Sequence, residues 1–273
     1  MNSPGNIRLA ALDLDGTLLH DDKHISEYTL HTIKKLTDTG IIVVPTSGRN
    51  VSGMTKNILQ VSSVRYAVCS NGAIVCDTKT GEIIHEAFIS PDKALEMICY
   101  LETFPVVLYA HTDQGIIRSS RNISRQFEEK FSFIDFKSNT VPDLKQHLCI
   151  RPFKIFKLGV FALEDSIFSE LLRRGSCLPE ISLMRTGDGI IELNSVHASK
   201  ANGLAALCRH LDIPMSGVLA IGDNQNDISM LRQAGVSVAM GNAEEDVKEA
   251  AEYIAGTNEE DGAAKFLEEY FKI

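Results

Sequence analysis

The stretch IRLAALDLDGT, residues 7–17, decides the fold that we predict for this chain. Its apolar part, Ile7–Leu12, has the length and continuity of a strand buried on both faces, as is typical of parallel sheets. Two carboxylates, Asp13 and Asp15, and the turn residue Gly16 follow it directly. Ligands bind outside the carboxyl ends of the strands in an open parallel sheet. We therefore expect both carboxylates to face a binding crevice.

Similar short apolar runs recur along the chain, each followed by polar or glycine-rich residues and then by a helical pattern. The clearest helix is Ser26–Thr39, whose apolar residues recur at helical spacing between the N-cap Ser26 and the stop residue Gly40. The other elements predicted in this pattern are the strands Ile41–Pro45, Tyr66–Cys69, Ile190–Leu193, Val218–Ile221 and Val236–Ala239, a helical segment through Leu59, and the helices Lys200–Leu211 and Asp227–Ala234. This alternation indicates the α/β class, with a doubly wound parallel sheet.

Residues 82–187 follow a different pattern. Runs such as VVLYAHT (106–112) alternate apolar and polar residues, which is typical of strands with one exposed face, and they are mixed with helices such as Pro91–Thr103. We therefore predict a discontinuous α/β core made of residues 1–81 and 188–273, with an α+β domain of residues 82–187 inserted between its two parts.

Composition narrows the class of protein. The chain has 273 residues, 44% of them hydrophobic and 23% charged, and its net charge of −9 disfavours a general nucleic-acid-binding role. Its six cysteines form no C-x-x-C pair, so neither a zinc site nor a thioredoxin-like dithiol is indicated. The N-terminus lacks the features of a secretory signal, and no apolar stretch approaches the roughly 20 residues that span a membrane. We expect a cytoplasmic protein that does not act at a membrane.

Four polar clusters, each placed after an apolar run, carry the chemistry. In the first, Asp13 and Asp15 are two residues apart, and such crowded anions require a cation or a shared proton. One carboxylate can attack phosphorus while its neighbour acts as general acid and then as general base. Taken alone, the cluster is equally well explained as an Asp/Gly turn between a strand and a helix.

The next two clusters are weaker on their own. Thr46–Arg49 (TSGR) offers a hydroxyl and backbone N–H groups to a phosphate oxygen, although Ser47 is also a common kind of helix cap. Lys200 can offset the charge of a phosphoryl group and keep a nucleophile ionised, although a single lysine at a helix start is usually just solvated.

The fourth cluster is Gly222–Asp227 (GDNQND), which follows the predicted strand VLAI. Asp223 and Asp227, with Asn226 between them, supply the hard oxygen ligands that suit Mg²⁺. A capped loop is the alternative, because Asp and Asn favour turns.

In this order, the four clusters resemble those of the haloacid dehalogenase (HAD) superfamily of aspartate-nucleophile phosphotransferases, and most closely its Cof-type (subfamily IIB) sugar-phosphatase-like branch. That branch shows D-x-D-G-T, S/T-G-R, a lysine and G-D-x-x-N-D in the same chain order. The element Ser70–Ala73 (SNGA) and the closing segment at 240–264, MGNAEEDVKEAAEYIAGTNEEDGAA, extend the resemblance over most of the chain. It implies a Rossmann-like core with an inserted C2-type cap domain that sets substrate specificity.

The resemblance also implies a mechanism and a set of site residues. Asp13 attacks phosphorus to form an aspartyl-phosphate, and Asp15 protonates the leaving oxygen and then activates the water that hydrolyses the intermediate. Lys200 also pairs with the nucleophile. The implied phosphate-binding residues are Ser47, Gly48, Lys200 and Asn226, and the implied Mg²⁺ site involves Asp13, Asp15 through its backbone carbonyl, Asp223 and Asp227.

The substrate follows less directly. The resemblance favours a small phosphorylated metabolite, with sugar phosphates as the leading class and pyridoxal phosphate or nucleotides as contenders. Candidate substrate contacts are Arg49, Asn71, Gly72, Arg118 and Arg185, with His111 and Arg121 as further cap residues able to meet a polar or anionic leaving group. For each of the cap residues an exposed surface role is the alternative. Oligomeric state is not predicted.

Two other functions fit the same fold. A phosphomutase would pass the aspartyl-phosphate to a sugar instead of water, and the sequence does not separate it from a phosphatase. A catalytically silent phosphosugar-binding protein is expected to lose Asp13, Asp15 or Asp223, and all three are present. A dinucleotide-binding domain is excluded, because no G-x-G-x-x-G follows the first strand.

Overall fold

The computed structural model describes residues 6–54, 63–132, 139–150, 153–175 and 180–273. The chain divides into two compact units, Met1–Glu86 with Ser199–Ile273, and Ala87–Ala198. Among the described residues, no helix has the length and apolar character needed to cross a membrane.

The described secondary structure, in chain order, is as follows. The strands are β1 (Leu9–Asp13), β2 (Ile42–Thr46), β3 (Tyr66–Cys69), β4 (Ile74–Asp77), β5 (Ile83–Glu86), β6 (Val107–Thr112), β7 (Gly115–Ser119), β8 (Thr140–Val141), β9 (Ile155–Phe161), β10 (Ile181–Gly187), β11 (Ile190–Ser195), β12 (Val218–Gly222), β13 (Val236–Ala239) and β14 (Tyr253–Ile254). The helices are α1 (Glu27–Asp38), α2 (Val51–Met54), α3 (Pro91–Leu101), α4 (Arg125–Lys130), α5 (Leu144–Ile150), α6 (Asp165–Gly175), α7 (Lys200–His210), α8 (Ile228–Gln233), α9 (Glu245–Glu249) and α10 (Gly262–Phe271).

The first unit is built on an eight-stranded sheet in the order β14-β13-β12-β1-β2-β3-β4-β5. Pairing is parallel from β14 to β3, whereas β4 and β5 are antiparallel additions at one edge. The residues of β1 and β12 are all buried, which is why both read as continuous apolar runs. This parallel sheet with helices confirms the predicted α/β class.

The sequence correctly predicts where helices α1 and α7 of this unit begin. Ser26 caps α1 as predicted, because its side chain accepts a hydrogen bond from the backbone N–H of Thr29. Helix α7 begins at Lys200 as predicted, capped by Ser199. The predicted helical segment through Leu59 is described only as α2, and the rest of it lies outside the described residues.

The second unit is built on a six-stranded sheet in the order β10-β11-β9-β6-β7-β8, antiparallel except for the β7–β8 pair. Its two faces differ. Leu158 and Val160 of β9 belong to an apolar core that also contains residues of α3, α5 and α6. Phe161 belongs to an aromatic cluster with Phe127 and Phe131, while Lys157 of the same strand is buried against a carboxylate.

The unit boundaries fall elsewhere than the predicted 81/82 and 187/188. Strand β5 pairs with β4 and belongs to the first sheet. The predicted core strand Ile190–Leu193 is part of β11, which pairs with β9 and β10 in the second sheet, so assigning it to the core was wrong. The reason is visible in its alternation: Ile191 and Leu193 join the apolar core of that unit, while Glu192 points to the opposite face.

Candidate active site

The predicted site residues of the first unit converge at the carboxyl edge of its parallel sheet. Asp13 is the last residue of β1 and lies opposite Thr46, the last residue of β2. On its other side β1 pairs with β12, in register Leu12 to Ile221, so the turn that begins at Gly222 follows at the same edge. This convergence is what parallel pairing predicts for chain segments distant in sequence.

Lys200 links the nucleophile candidate to the fourth cluster. Its ammonium group is buried and donates hydrogen bonds to Asp13 Oδ1 and, at 2.5 Å, to Asp227 Oδ1. Helix α7 can approach this edge closely because position 72 is a glycine. A Cβ there would collide with the carbonyl group of Ser199, and Gly72 also adopts a left-handed φ of +89°. The candidate substrate contact Gly72 thus has a steric role in placing Lys200.

Asp227 organises the turn after β12. Its Oδ2 accepts the backbone N–H groups of Asp223 at 3.1 Å and Asn224 at 3.0 Å, while its Oδ1 accepts Lys200. Both carboxylate oxygens of this fully buried side chain are therefore already engaged. Carboxylate oxygens of Asp13, Asp223 and Asp227 lie within 4.8 Å of one another, which brings together the three aspartate side chains proposed for Mg²⁺.

The electrostatics of this cluster fit a divalent cation. Burial raises the pKa of Asp13 well above its ordinary value, and although Lys200 opposes this, the charges of Asp227 and Asp223 add to it. Burial and the charge of Asp227 likewise raise the pKa of Asp223 to about 6. Burial alone would lower the pKa of Lys200, but Asp13 and Asp227 raise it above its ordinary value. Three carboxylates beside one ammonium leave an excess of negative charge, and hard oxygen donors of this kind suit Mg²⁺.

Asp15 is held by two cations. Arg49 forms a bidentate pair with it, Nε to Oδ2 at 2.8 Å and Nη2 to Oδ1 at 2.7 Å, and Lys23 Nζ lies 3.1 Å from Oδ1. Burial raises the pKa of Asp15, but the hydrogen bonds and charges of Arg49 and Lys23 outweigh it and hold that pKa below its ordinary value. Asp15 is therefore ionised here and has to leave these partners before it can donate a proton.

The serine–glycine–arginine turn and the SNGA element are joined by hydrogen bonds. Ser47 is buried, its Oγ accepts the N–H of Arg49 at 3.1 Å, and its carbonyl accepts the N–H of Asn71 at 3.0 Å. Asn71 has a left-handed φ of +59°, and its Oδ1 accepts Asn226 Nδ2 at 3.1 Å. Ser47, Asn71 and Asn226 thus lie on connected turns at this edge. The phosphate contacts of Ser47, Gly48 and Asn226 and the substrate contact of Asn71 stay predictions.

The other candidate substrate contacts belong to the second unit. Arg118 lies on β7 opposite Tyr109, and Arg185 on β10 places its guanidinium 4.7 Å from the ring centroid of Phe168. Burial, with the nearby charges of Lys157 and Arg118, lowers the pKa of His111 well below its ordinary value. Arg121 pairs with Glu102 at 3.2 Å. Their contacts with substrate also stay predictions.

Several site residues were missed at the level of sequence. Thr17 Oγ1 donates to Asp223 Oδ1 at 3.1 Å, and this residue stands inside the quoted D-x-D-G-T motif. Lys23 reaches Asp15 from a turn with a left-handed φ of +69°, a feature without a sequence signal at a lysine. Asn242 Nδ2 donates to the carbonyl oxygen of Gly16 at 2.9 Å and belongs to the closing segment, which had no assigned role.

Residues 10–267 match the haloacid dehalogenase-like hydrolase family, to which this chain belongs. The predicted family is confirmed, and the chain is a phosphatase of this family.

Individual relatives are similar over nearly their whole length. A 5-amino-6-(5-phospho-D-ribitylamino)uracil phosphatase of Bacillus subtilis (strain 168), YitU, is 32% identical over 97% of this chain and 98% of its own. YcsE, a phosphatase of the same name and organism, is 29% identical over 96% of this chain and 95% of its own. The solved structure of a haloacid dehalogenase-like hydrolase from B. subtilis superposes with a TM-score of 0.85 at 25% identity, covering 96% of this chain and 99% of that one.

Proposed function

We propose that this phosphatase hydrolyses small phosphate monoesters in a Mg²⁺-dependent reaction, through an aspartyl-phosphate on Asp13. The observation that carries the proposal is the buried Asp13–Lys200 ion pair beside Asp223 and Asp227. Asp13 is a buried carboxylate at a strand end, paired with one ammonium and close to two further carboxylates. Such a site suits an anionic substrate that binds together with a divalent cation.

In the first step an oxygen of Asp13 attacks phosphorus, a bond to the carboxylate forms, and the bond to the leaving oxygen breaks. Lys200 favours the ionised form of Asp13 through its hydrogen bond and offsets charge on the phosphoryl oxygens. Ser47, Gly48 and Asn226 bind the same oxygens. When bound, Mg²⁺ is held by Asp13, Asp223 and the Asp15 carbonyl, with Asp227 close by, and it partly neutralises the carboxylates and the phosphoryl group.

Asp15 moves the protons. Its acid form gives a proton to the leaving oxygen in the first step, and its carboxylate then takes a proton from the water that attacks the aspartyl-phosphate. That second step releases phosphate and restores Asp13. Because Arg49 and Lys23 hold Asp15 ionised, its release from them has to precede catalysis.

The substrate class is a small phosphorylated metabolite, and the enzyme is proposed to act in the cytoplasm without nucleic-acid or membrane partners. Sugar phosphates are the first candidates. The names of two relatives support a specific second candidate, 5-amino-6-(5-phospho-D-ribitylamino)uracil, a phosphate ester of a linear polyol carried on a heterocycle. Arg49, Asn71, Gly72, Arg118 and Arg185 are proposed to contact such substrates.

The test is phosphate release from a panel of sugar phosphates, nucleotides, pyridoxal phosphate and the ribitylaminouracil phosphate. Each substrate is assayed with Mg²⁺, with a chelator, and with the Asp13→Asn variant. Release that requires Mg²⁺ and disappears in the variant supports the proposal. Isomerisation of a sugar phosphate without phosphate release would indicate a phosphomutase instead, and binding without either reaction would indicate a silent phosphosugar-binding protein.

A further inference from the structure

Two asparagines of the closing segment hold the loop that follows the nucleophile. Asn242 Nδ2 donates to the carbonyl oxygen of Gly16 at 2.9 Å, and Asn242 Oδ1 accepts the backbone N–H of Asn258 at 3.0 Å. Asn258 in turn donates from Nδ2 to the carbonyl oxygen of Leu19 at 3.1 Å. Both ends of the loop at 16–19 are therefore tied to the same C-terminal segment, more than two hundred residues away in sequence.

The Gly16 carbonyl lies at a sterically demanding point of that loop. Gly16 adopts a left-handed φ of +83°, and a Cβ at this position would collide with the carboxylate of Asp223. The next residue, Thr17, donates its hydroxyl to Asp223 Oδ1 at 3.1 Å. Gly16 also follows Asp15, whose carbonyl belongs to the proposed metal site. Rotation of the Gly16 backbone would move the Asp15 carbonyl and Thr17 together relative to Asp223.

We propose that Asn242 is a positioning residue of the metal site, holding the loop at 16–19 in the conformation in which Asp13, the Asp15 carbonyl and Asp223 bind one divalent cation. This rests on the proposed Mg²⁺ dependence. Asn242 itself is no ligand and acts through Gly16. Groups that orient metal ligands by hydrogen bonds affect metal affinity strongly although they do not touch the ion.

Because Asn242 is exposed, an effect of its substitution on the metal site can be distinguished from an effect on overall stability. Its side chain is solvent-exposed, so its truncation leaves no buried cavity and should change overall stability little. Asn122 provides a matched control, because its Nδ2 also donates to a backbone carbonyl at 2.9 Å, that of Val106, within the other unit.

The experiment measures Mn²⁺ binding to the full-length chain, without substrate, from the electron paramagnetic resonance signal of free Mn²⁺. Asp223→Asn first identifies the binding step that belongs to this site. Asn242→Ala is expected to weaken that step about tenfold, and Asn122→Ala to leave it unchanged, while thermal unfolding shows that both variants are folded. Asn242→Asp keeps the acceptor for Asn258 but replaces the donor by a carboxylate oxygen, which repels the Gly16 carbonyl oxygen. Its added negative charge by itself favours cation binding, so weaker binding in this variant shows that the contact with Gly16 outweighs the charge.

Equal Mn²⁺ affinity in wild type and in Asn242→Ala overturns the positioning role. Equal weakening in the Asn122→Ala control overturns it as well, because the effect would then not be local. Failure of the proposed function looks different: the wild-type chain would then show no binding step that Asp223→Asn removes, whatever happens at Asn242.

Discussion

Each unit of the molecule contains a buried lysine that pairs with a carboxylate, and the two lysines differ in the charged groups around them. Lys200 lies at the carboxyl edge of the parallel sheet, bonded to Asp13 and Asp227 and close to Asp223. Lys157 lies within an antiparallel sheet, where its ammonium donates to Glu192 Oε1 at 2.5 Å. The same Glu192 oxygen accepts the hydroxyl of Tyr109 at 3.1 Å.

The difference lies in the balance of charge. Among the described residues, three carboxylates lie beside Lys200, and burial together with their mutual repulsion raises the pKa of Asp13 and of Asp223. The Lys157–Glu192 pair sets one ammonium against one carboxylate, and Tyr109 donates to the same carboxylate oxygen. A buried site with excess negative charge is costly unless it binds a cation. We infer that the site around Lys200 is kept for binding a cation.

The largest expected effect is on the nucleophile. Asp13→Asn is nearly isosteric and relieves the crowding of carboxylates, so we expect turnover to fall by about four orders of magnitude or more while the protein stays folded. Phosphate release and thermal unfolding, measured on the same preparation, check both halves of this expectation. Comparable turnover in the variant would exclude Asp13 as the nucleophile.

The next effect concerns the acid/base residue. Asp15→Asn cannot accept a proton from water, so hydrolysis of the aspartyl-phosphate should slow by roughly 10²–10⁴-fold and the phospho-enzyme should accumulate. Intact-mass measurement after acid quenching detects the added phosphate. The double variant Asp13→Asn/Asp15→Asn is the control and should carry none. Absence of phospho-enzyme in the single variant contradicts the acid/base role of Asp15 without touching that of Asp13.

Substitution of the Lys157–Glu192 pair should change the stability of the protein. Lys157→Met leaves Glu192 buried without its ammonium, and we expect the free energy of unfolding to fall by about 3–5 kcal/mol. The double variant Lys157→Met/Glu192→Gln removes both charges and keeps an acceptor for Tyr109, so it should recover most of that loss. Denaturant unfolding of the three proteins measures the difference. A double variant as unstable as the single one would show that the pair contributes more than charge balance.

Much of this comparison could be predicted from the sequence, because the residues around Lys200 follow buried apolar strands and parallel pairing carries such strand ends to one edge. Strand β11 was placed in the wrong unit because a short run starting with two isoleucines reads as a buried strand until its pairing is known. The Asp15–Arg49 and Gly16–Asn242 contacts could not be predicted, since they depend on turn dihedral angles and on approaches between residues far apart in sequence.

The smallest expected effect is a pH dependence of stability that we expect at the Lys200 site. The pKa of Asp223 is raised to about 6 in the metal-free protein, so the folded state binds a proton more tightly than the unfolded state does. This stabilising contribution is complete below the ordinary aspartate pKa and is lost as pH rises through about 6. The Asp223→Asn variant carries no carboxyl group that ionises at this position. It should therefore be more stable than wild type above pH 6 without metal, by about 1–3 kcal/mol.

Adding Mg²⁺ should reverse that order, because the ion stabilises wild type by mass action and the variant lacks a ligand for it. Thermal unfolding of both proteins at pH 5 and pH 8, with Mg²⁺ and with chelator, measures all four differences. The Lys157–Glu192 pair serves as the reference, since stability lost in Lys157→Met should not depend on Mg²⁺. If the unfolding temperature of wild type at pH 8 is the same with Mg²⁺ and with chelator, the excess charge around Lys200 is compensated without a divalent cation.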